Sequence, residues 1–288
     1  MHLRVEPDKV TQLEAIPFLP IEFFKSKKIR SSSAEVQAIF TSSGTTGATT
    51  SQHFVSSLDH YEKCFVTAFE LYYGPVSDYC LLALLPSYLE RQGSSLIYMV
   101  DALIKRSDHQ TSGFYLNNHD ELFQTLQELE RIGQKTLLIG VSFALLDFVE
   151  TFKLNLNNTI IMETGGMKGR RQELIRAELH HYLQKGFGVD HIHSEYGMTE
   201  LLSQAYSHGE GLFHCPPWMK VFARDTEDPL SLQKYGKTGG LNIIDLANYN
   251  SCAFIATQDL GKVYQNGSFE VLGRFDHADV RGCNLMVV

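Results

Sequence analysis

"AIFTSSGTTGATTSQ", from Ala38 to Gln52, decides how the chain is read. An apolar strand run ends at Phe40, and Thr41, Ser42, Ser43, Gly44, Thr45, Thr46 and Gly47 follow at once. Glycine lets the backbone turn sharply and present successive N–H groups, and the five hydroxyl side chains add donors. Such a loop on the end of a strand is suited to cradling phosphate oxygens. It is not a Walker-type loop, because the GxxxxGK[ST] spacing fails and no lysine follows.

Outward from this loop the pattern alternates. Short β-rich runs ("VQAIF", "YCLLALL", "GFYL", "KTLLIG", "NTIIME") are separated by stretches of helical period. In "DELFQTLQELERI", Leu122, Phe123, Leu126, Leu129 and Ile132 recur at helical spacing, as do Leu174, Ile175, Leu179 and Leu183 further on. Alternation of this kind predicts an α/β body with a mainly parallel sheet flanked by helices, over residues 1–200. Upstream, "IPFLPIEFFKS" predicts a short helix packed on that body. Beyond residue 200 the texture changes to short strands with turn signals, among them "QNGS" between two apolar runs. A smaller antiparallel β unit over 201–275 is expected, with 276–288 as a short tail.

Composition narrows the function. Hydrophobic residues make up 43% of the 288 and charged residues 20%, as in an ordinary soluble enzyme. A formal net charge of −8 leaves no general footprint for nucleic acid. No apolar run reaches membrane-spanning length, and the N-terminus lacks the apolar core of a secretory signal. Five cysteines without a CxxC pair argue against a disulfide framework and for a reducing cytoplasm. The twelve histidines match no compact zinc spacing. Cys64 and Cys80 lie in apolar patterns and read as core. Ser87, Tyr88 and Arg91 in "PSYLERQGSS", with His193, are candidates for the wall of a substrate pocket, packing being the alternative for each.

Several motifs carry a resemblance. "TSSGTTG" resembles the phosphate-binding signature of the adenylate-forming superfamily, which includes acyl-CoA synthetases and nonribosomal adenylation domains. "TGGMKGR", with Gly165 and Gly166, resembles its adenine-contacting loop, and "SEYGMTE" its YGxTE motif. "TQDLG" and "GRFD" resemble its TGDLG and GRxxD pair, in the same order along the chain. More narrowly, "LPSYLERQGSSLIYMV", "CPPWMKV" and "RGCNLMV" are similar to the luminescence-type acyl-protein synthetases, LuxE-type.

The resemblance implies the N-terminal-domain fold of adenylate-forming enzymes, with ATP and Mg²⁺ as cofactors. It implies Tyr196 on adenine within the turn that Gly197 opens, Thr199 on the α-phosphate and Glu200 on Mg²⁺. Asp259 and Arg274 would contact the ribose, and Asp276 falls at the hinge position. The chain ends shortly after Asp276, so the large C-terminal domain of bigger members, with its assisting lysine, has no counterpart in it. The implied activity converts a fatty or other small carboxylic acid to acyl-AMP. The acyl group then passes to the chain's own Cys283 and on to an acyl reductase partner. An external thiol, of coenzyme A or a carrier protein, is the alternative, as is a nucleotide-binding scaffold for the reductase. Cys283 itself reads either as that nucleophile or as a buried strand residue in the apolar "CNLMVV".

Overall fold

A computed structural model describes residues 7–42, 49–85, 93–165 and 174–275. In chain order the first elements are β1 (Leu19–Pro20), α1 (Phe23–Ser26), β2 (Ala38–Thr41), β3 (Gln52–Val55) and α2 (Leu58–Tyr73). The central body follows with β4 (Cys80–Leu84), α3 (Ser95–Ser107), β5 (Gly113–Phe114), α4 (His119–Arg131) and β6 (Thr136–Val141). It continues through α5 (Ser142–Thr151), β7 (Thr159–Thr164), α6 (Arg176–Phe187), β8 (His193–Tyr196) and β9 (Ala205–Ser207). The last strands are β10 (Leu212–Phe213), β11 (Met219–Arg224), β12 (Thr238–Asp245), β13 (Phe254–Val263) and β14 (Phe269–Arg274).

Burial explains the two kinds of strand. Every residue of β4 and β6 is buried, the signature of strands covered by helices on both faces. They sit in a sheet ordered β5-β4-β6-β7-β8-β9, parallel except for β9. By contrast β13 alternates between buried and half-buried residues along its length, as a strand with one core face should. It lies in the antiparallel sheet β10-β14-β13-β12-β11, where "QNGS" makes the expected hairpin. Gly267 takes φ +84 in that turn, and the Tyr264 amide donates to the Ser268 carbonyl.

Three expectations are corrected. The "VQAIF" strand β2 does not join the parallel sheet; it forms a separate antiparallel hairpin with β3. A loop that leaves Thr41 and re-enters at Gln52 reverses the chain, so its two flanks pair with each other. Strand β9 pairs with β8, so the parallel-sheet body runs past residue 200. And β1 pairs with β13, which puts the start of the described chain in the antiparallel sheet. The short helix of "IPFLPIEFFKS" is present as α1, anchored by the fully buried Phe24.

Each sheet has its own core. Around the parallel sheet pack Phe65, Phe69, Leu82, Leu138, Phe148 and Phe187, with Cys64 and Cys80 buried as expected. The second core gathers Phe213, Leu241, Ile243, Ile255 and Phe269, and takes in Tyr196 and Leu201 from the end of the first sheet. Among the described residues no helix is long and apolar enough to cross a membrane.

Helices α5 and α6 approach closely at Gly186, where a Cβ would stand 2.4 Å from Val149 Cβ. Gly186→Ala should therefore lower unfolding free energy by roughly 1–2 kcal/mol, although alanine gains about 1 kcal/mol of helix preference. Urea unfolding would measure it. Adding Val149→Ala should recover part of the loss, and no recovery would mean the contact is not the cause.

Candidate active site

The parallel strands β4, β6, β7 and β8 end on one edge, where open α/β sheets place their ligands. Thr164 and Gly165 leave β7 there, and Tyr196 leads from β8 into the Gly197–Glu200 turn. Of the residues expected from the sequence, the structure describes Thr41, Ser42, Gly165, His193, Tyr196, Gly197, Thr199, Glu200, Asp259 and Arg274. Ser43, Gly44, Thr45, Thr46, Gly47, Ser87, Tyr88, Arg91, Gly166, Asp276 and Cys283 lie outside the described residues.

The flanks of the hydroxyl-rich loop are pinned together. Ser42 donates its amide to the Ser51 carbonyl at 3.2 Å, and the Ser51 amide donates to Ser42 Oγ at 2.9 Å. One residue earlier, the Thr41 amide donates to the Gly93 carbonyl at 2.7 Å.

Tyr196, Asp259 and Arg274 come together although they are distant in sequence. The Tyr196 hydroxyl donates to Asp259 Oδ2 at 2.7 Å. Its ring meets Phe269 edge-on at 5.4 Å and Phe213 at 5.8 Å, and only 9% of the residue is exposed. Asp259 and Arg274 are cross-strand partners, with Arg274 Nε 3.4 Å from Asp259 Oδ1. Burial pushes the Asp259 carboxyl up, against Tyr196 and Arg274, which favour its charge.

Glu200 is buried as well. Burial raises its pKa, while the Ser51 hydroxyl and the positive charge of Arg274 act in the other direction. Arg274 thus acts on both carboxylates and is itself 71% exposed in its side chain, free to turn toward an anion.

Several residues here carry no signal in the sequence. Asp245 Oδ2 accepts from the amides of Leu202 at 2.8 Å and Ser203 at 3.1 Å, and Oδ1 accepts from Ser203 Oγ at 2.6 Å. His53 Nδ1 lies 2.8 Å from the Thr199 carbonyl, and Asn248 Nδ2 donates to the Glu200 carbonyl at 2.7 Å. Each is fixed by a contact across more than one sheet, which no local periodicity reveals.

Two more buried acids sit at the strand ends. Glu163 at the end of β7 faces α6, with His180 Nε2 at 3.6 Å and Arg176 Nε at 3.9 Å. Burial opposes its charge, but His180 and Arg176 outweigh burial and hold the carboxyl below its ordinary range. Nearby, Ser142 Oγ donates to the Gly165 carbonyl at 3.0 Å and steadies the start of the "TGG" loop. Glu195 lies on the opposite face, where the Thr164 hydroxyl donates to it. Its Oε1 comes so close to Gly197 that a Cβ there would stand 2.5 Å away, so a larger residue would have to displace the carboxylate. His193 shares this face two residues earlier, against Tyr73 and His208. Beside Tyr196, Arg176 covers the Phe213 ring at 4.9 Å and lines a cleft of about 420 Å³ between α6 and β14.

Comparison with known proteins fits this arrangement. Residues 4–288 match the family model described as acyl-protein synthetase, LuxE. The long-chain-fatty-acid–luciferin-component ligase of Aliivibrio fischeri is 26% identical, over 96% of this chain and 79% of its own length. Among solved structures, ATP-bound MatB from Rhodopseudomonas palustris superposes with a TM-score of 0.63 at 16% identity, over 84% of this chain and 49% of its own. O-succinylbenzoate coenzyme A synthetase (MenE) from Bacillus subtilis, in complex with ATP and magnesium, gives 0.57 at 19% identity, over 84% and 51%. The chain spans about half the length of these two structures. They share its fold.

Burial, followed by the nearby charge of Glu163, raises the Glu195 pKa from 4.5 to about 7 despite the Thr164 hydrogen bond. The folded state therefore binds more protons than the unfolded chain between those values. That contribution to stability is complete below pH 4.5 and is lost as pH rises through 7. Glu195→Gln, which cannot ionise, should gain on the wild type as pH goes from about 5 to 8, by up to roughly 3 kcal/mol. Urea unfolding across that range tests this, and a pH-independent difference would refute it.

Proposed function

The chain belongs to the acyl-protein synthetase (LuxE) family, and from that membership together with the site above we propose that it activates a carboxylic acid as acyl-AMP and then carries the acyl group on Cys283. The observation that carries the reading is the meeting of Tyr196, Asp259 and Arg274 beside Glu200. Together these supply an aromatic edge, a ribose-directed carboxylate, a mobile cation and a second carboxylate at one strand edge.

A carboxylate is a poor acyl donor because its leaving group would be oxide. Its attack on the α-phosphate of ATP releases pyrophosphate and leaves an acyl-AMP, whose leaving group is AMP. The step depends on positioning and on charge neutralisation. In this reading Asp259 accepts from the ribose hydroxyls and is held in place by Tyr196. Tyr196 also borders the adenine, a role shared with Gly165 and Gly166. Thr199 offers its hydroxyl to the α-phosphate, and the 41–47 loop holds the departing pyrophosphate. Arg274 turns from Asp259 toward the nucleotide.

A Mg²⁺ ion fits Glu200. No group of three or more His, Cys, Asp or Glu suited to a metal exists among the described residues. A single buried carboxylate is what an ion sharing its shell with phosphate oxygens requires. When bound, Mg²⁺ neutralises charge on those oxygens.

The second step needs a thiolate, and a free cysteine has a pKa of roughly 8.5. Burial pushes Cys64 and Cys80 up to about 11 and Cys215 to about 12, and it raises Cys252 as well. None of these four is prepared to attack an acyl-AMP. This supports Cys283, the remaining cysteine of five, as the acyl acceptor, with Arg281 two residues away to favour its thiolate. Thiolate attack on the acyl carbon forms the thioester and releases AMP. The substrate is a fatty acid, and an acyl reductase receives the acyl group; the name of the Aliivibrio relative supports the first of these.

Two measurements test the reading. Carboxylic-acid-dependent exchange of pyrophosphate into ATP should be present, and Asp259→Asn should lower it about tenfold to a hundredfold. Absence of exchange with every acid would overturn adenylation. With labelled fatty acid and ATP, the wild type should hold hydroxylamine-sensitive label that Cys283→Ser lacks. Label that persists on the variant would exclude Cys283, and label that appears only on added coenzyme A would favour an external thiol.

A further inference from the structure

Thr199 and Glu200 lie just past the end of β8, in a turn closed by the hydrogen bond from the Leu201 amide to the Met198 carbonyl. Their own carbonyls are held by side chains from remote segments. His53, in β3, reaches the Thr199 carbonyl at 2.8 Å, and Asn248, in the turn after β12, donates to the Glu200 carbonyl at 2.7 Å. The two holders touch each other, with His53 Nε2 2.9 Å from Asn248 Oδ1. His53 is 1% exposed and Asn248 fully buried, so water is no substitute for either bond.

A carbonyl only accepts, so His53 Nδ1 must carry a proton and donate to Thr199. The Glu200 carbonyl likewise fixes the Asn248 amide with its nitrogen toward the turn, which presents Oδ1 to His53 Nε2, so that contact is a hydrogen bond only when the ring carries a second proton. The ring is locked from its other side by Phe24 of α1, perpendicular at a centroid distance of 5.8 Å. His53 is therefore held in one orientation by three separate elements. Ser51, two residues earlier, just before β3, and buried, faces the Glu200 carboxylate. One short segment at the start of β3 therefore serves both the main chain of the motif, through His53, and its carboxylate, through Ser51.

We propose that His53 and Asn248 are positioning residues, which hold the Thr199–Glu200 main chain so that the Thr199 hydroxyl and the Glu200 carboxylate stay aimed at the magnesium nucleotide. The proposal rests on the adenylation reading above. It adds two residues that make no contact with substrate, and it ties the motif to the hairpin that carries the hydroxyl-rich loop. Partners that orient a metal-binding carboxylate typically change metal affinity by about 10- to 100-fold when lost.

The test uses the full chain with a non-hydrolysable ATP analogue, Mg²⁺ and the pyrophosphate exchange assay. His53→Leu should keep a cooperative thermal transition and bind the analogue alone as the wild type does. Calorimetric titration of Mg²⁺ into the analogue complex should then show affinity about tenfold weaker, and exchange kcat should fall by a similar factor. His53→Gln, whose amide can still donate to the Thr199 carbonyl, should recover part of both. Asn248→Ala removes the donor to Glu200 and should repeat the effect on Mg²⁺, which keeps the test intact if His53→Leu does not fold. Unchanged Mg²⁺ affinity in folded variants, or His53→Gln no better than His53→Leu, would overturn the proposal. Failure of the adenylation reading looks different, because the wild type would then show no exchange at all.

Discussion

A carboxylate removed from water must be met by donors, and at the seam between the two sheets those donors come from the opposite body. Asp245 ends a strand of the antiparallel sheet yet is satisfied by the amides of Leu202 and Ser203, which follow the last parallel strand. Asp259 belongs to the antiparallel sheet and takes its hydrogen bond from Tyr196, at the end of β8. Without these donors Asp245 would keep the Ala247 amide and Asp259 would keep Arg274, and taking one partner from a buried charge typically costs about 3–5 kcal/mol. The two sheets are therefore held in register by groups that neither could bury by itself. The motif that carries Thr199 and Glu200 runs along this seam.

The same arrangement accounts for the electrostatics of the site. Burial raises Glu195, Glu200, Asp245 and Asp259 together, and one exposed arginine, Arg274, acts on two of them. A site crowded with acids sits uneasily with a polyanionic nucleotide unless cations intervene. On the proposed reading, Arg274 and a divalent ion on Glu200 would supply them. On the α6 side, Arg176 over Phe213 adds a further positive charge behind Tyr196.

Much of the fold was legible because it is written in local periods. The unbroken apolar runs of β4 and β6, the alternation in β13 and the "QNGS" turn each follow from nearest-neighbour chemistry. The order of motifs from Thr41 to Arg274 likewise placed Tyr196, Asp259 and Arg274 in one site before any coordinates. What escaped were residues whose meaning is set by a partner far along the chain. Nothing in "SQHFV" says that Ser51 and His53 face Glu200 and Thr199, and nothing in "DLANYN" says that Asp245 and Asn248 brace the same turn. The hairpin of β2 and β3 was misplaced for a related reason, since an apolar run reveals a strand but not which strand it pairs with.

The pairing of Leu19 with Ile255 has a kinetic side. The antiparallel sheet gains β1 from the beginning of the described chain and β13 from near its end. Glu22 also receives a hydrogen bond from Gln258, and the Ile29 carbonyl one from Ser251. During synthesis the N-terminal strap must wait, unpaired, while the whole parallel-sheet body emerges and can fold. Closing so long a loop comes late and slowly. The cluster of Tyr196, Asp259 and Arg274, which takes two members from that late sheet, would form after the parallel-sheet body. A chain halted before β13 would hold a finished core and lack the carboxylate of Asp259.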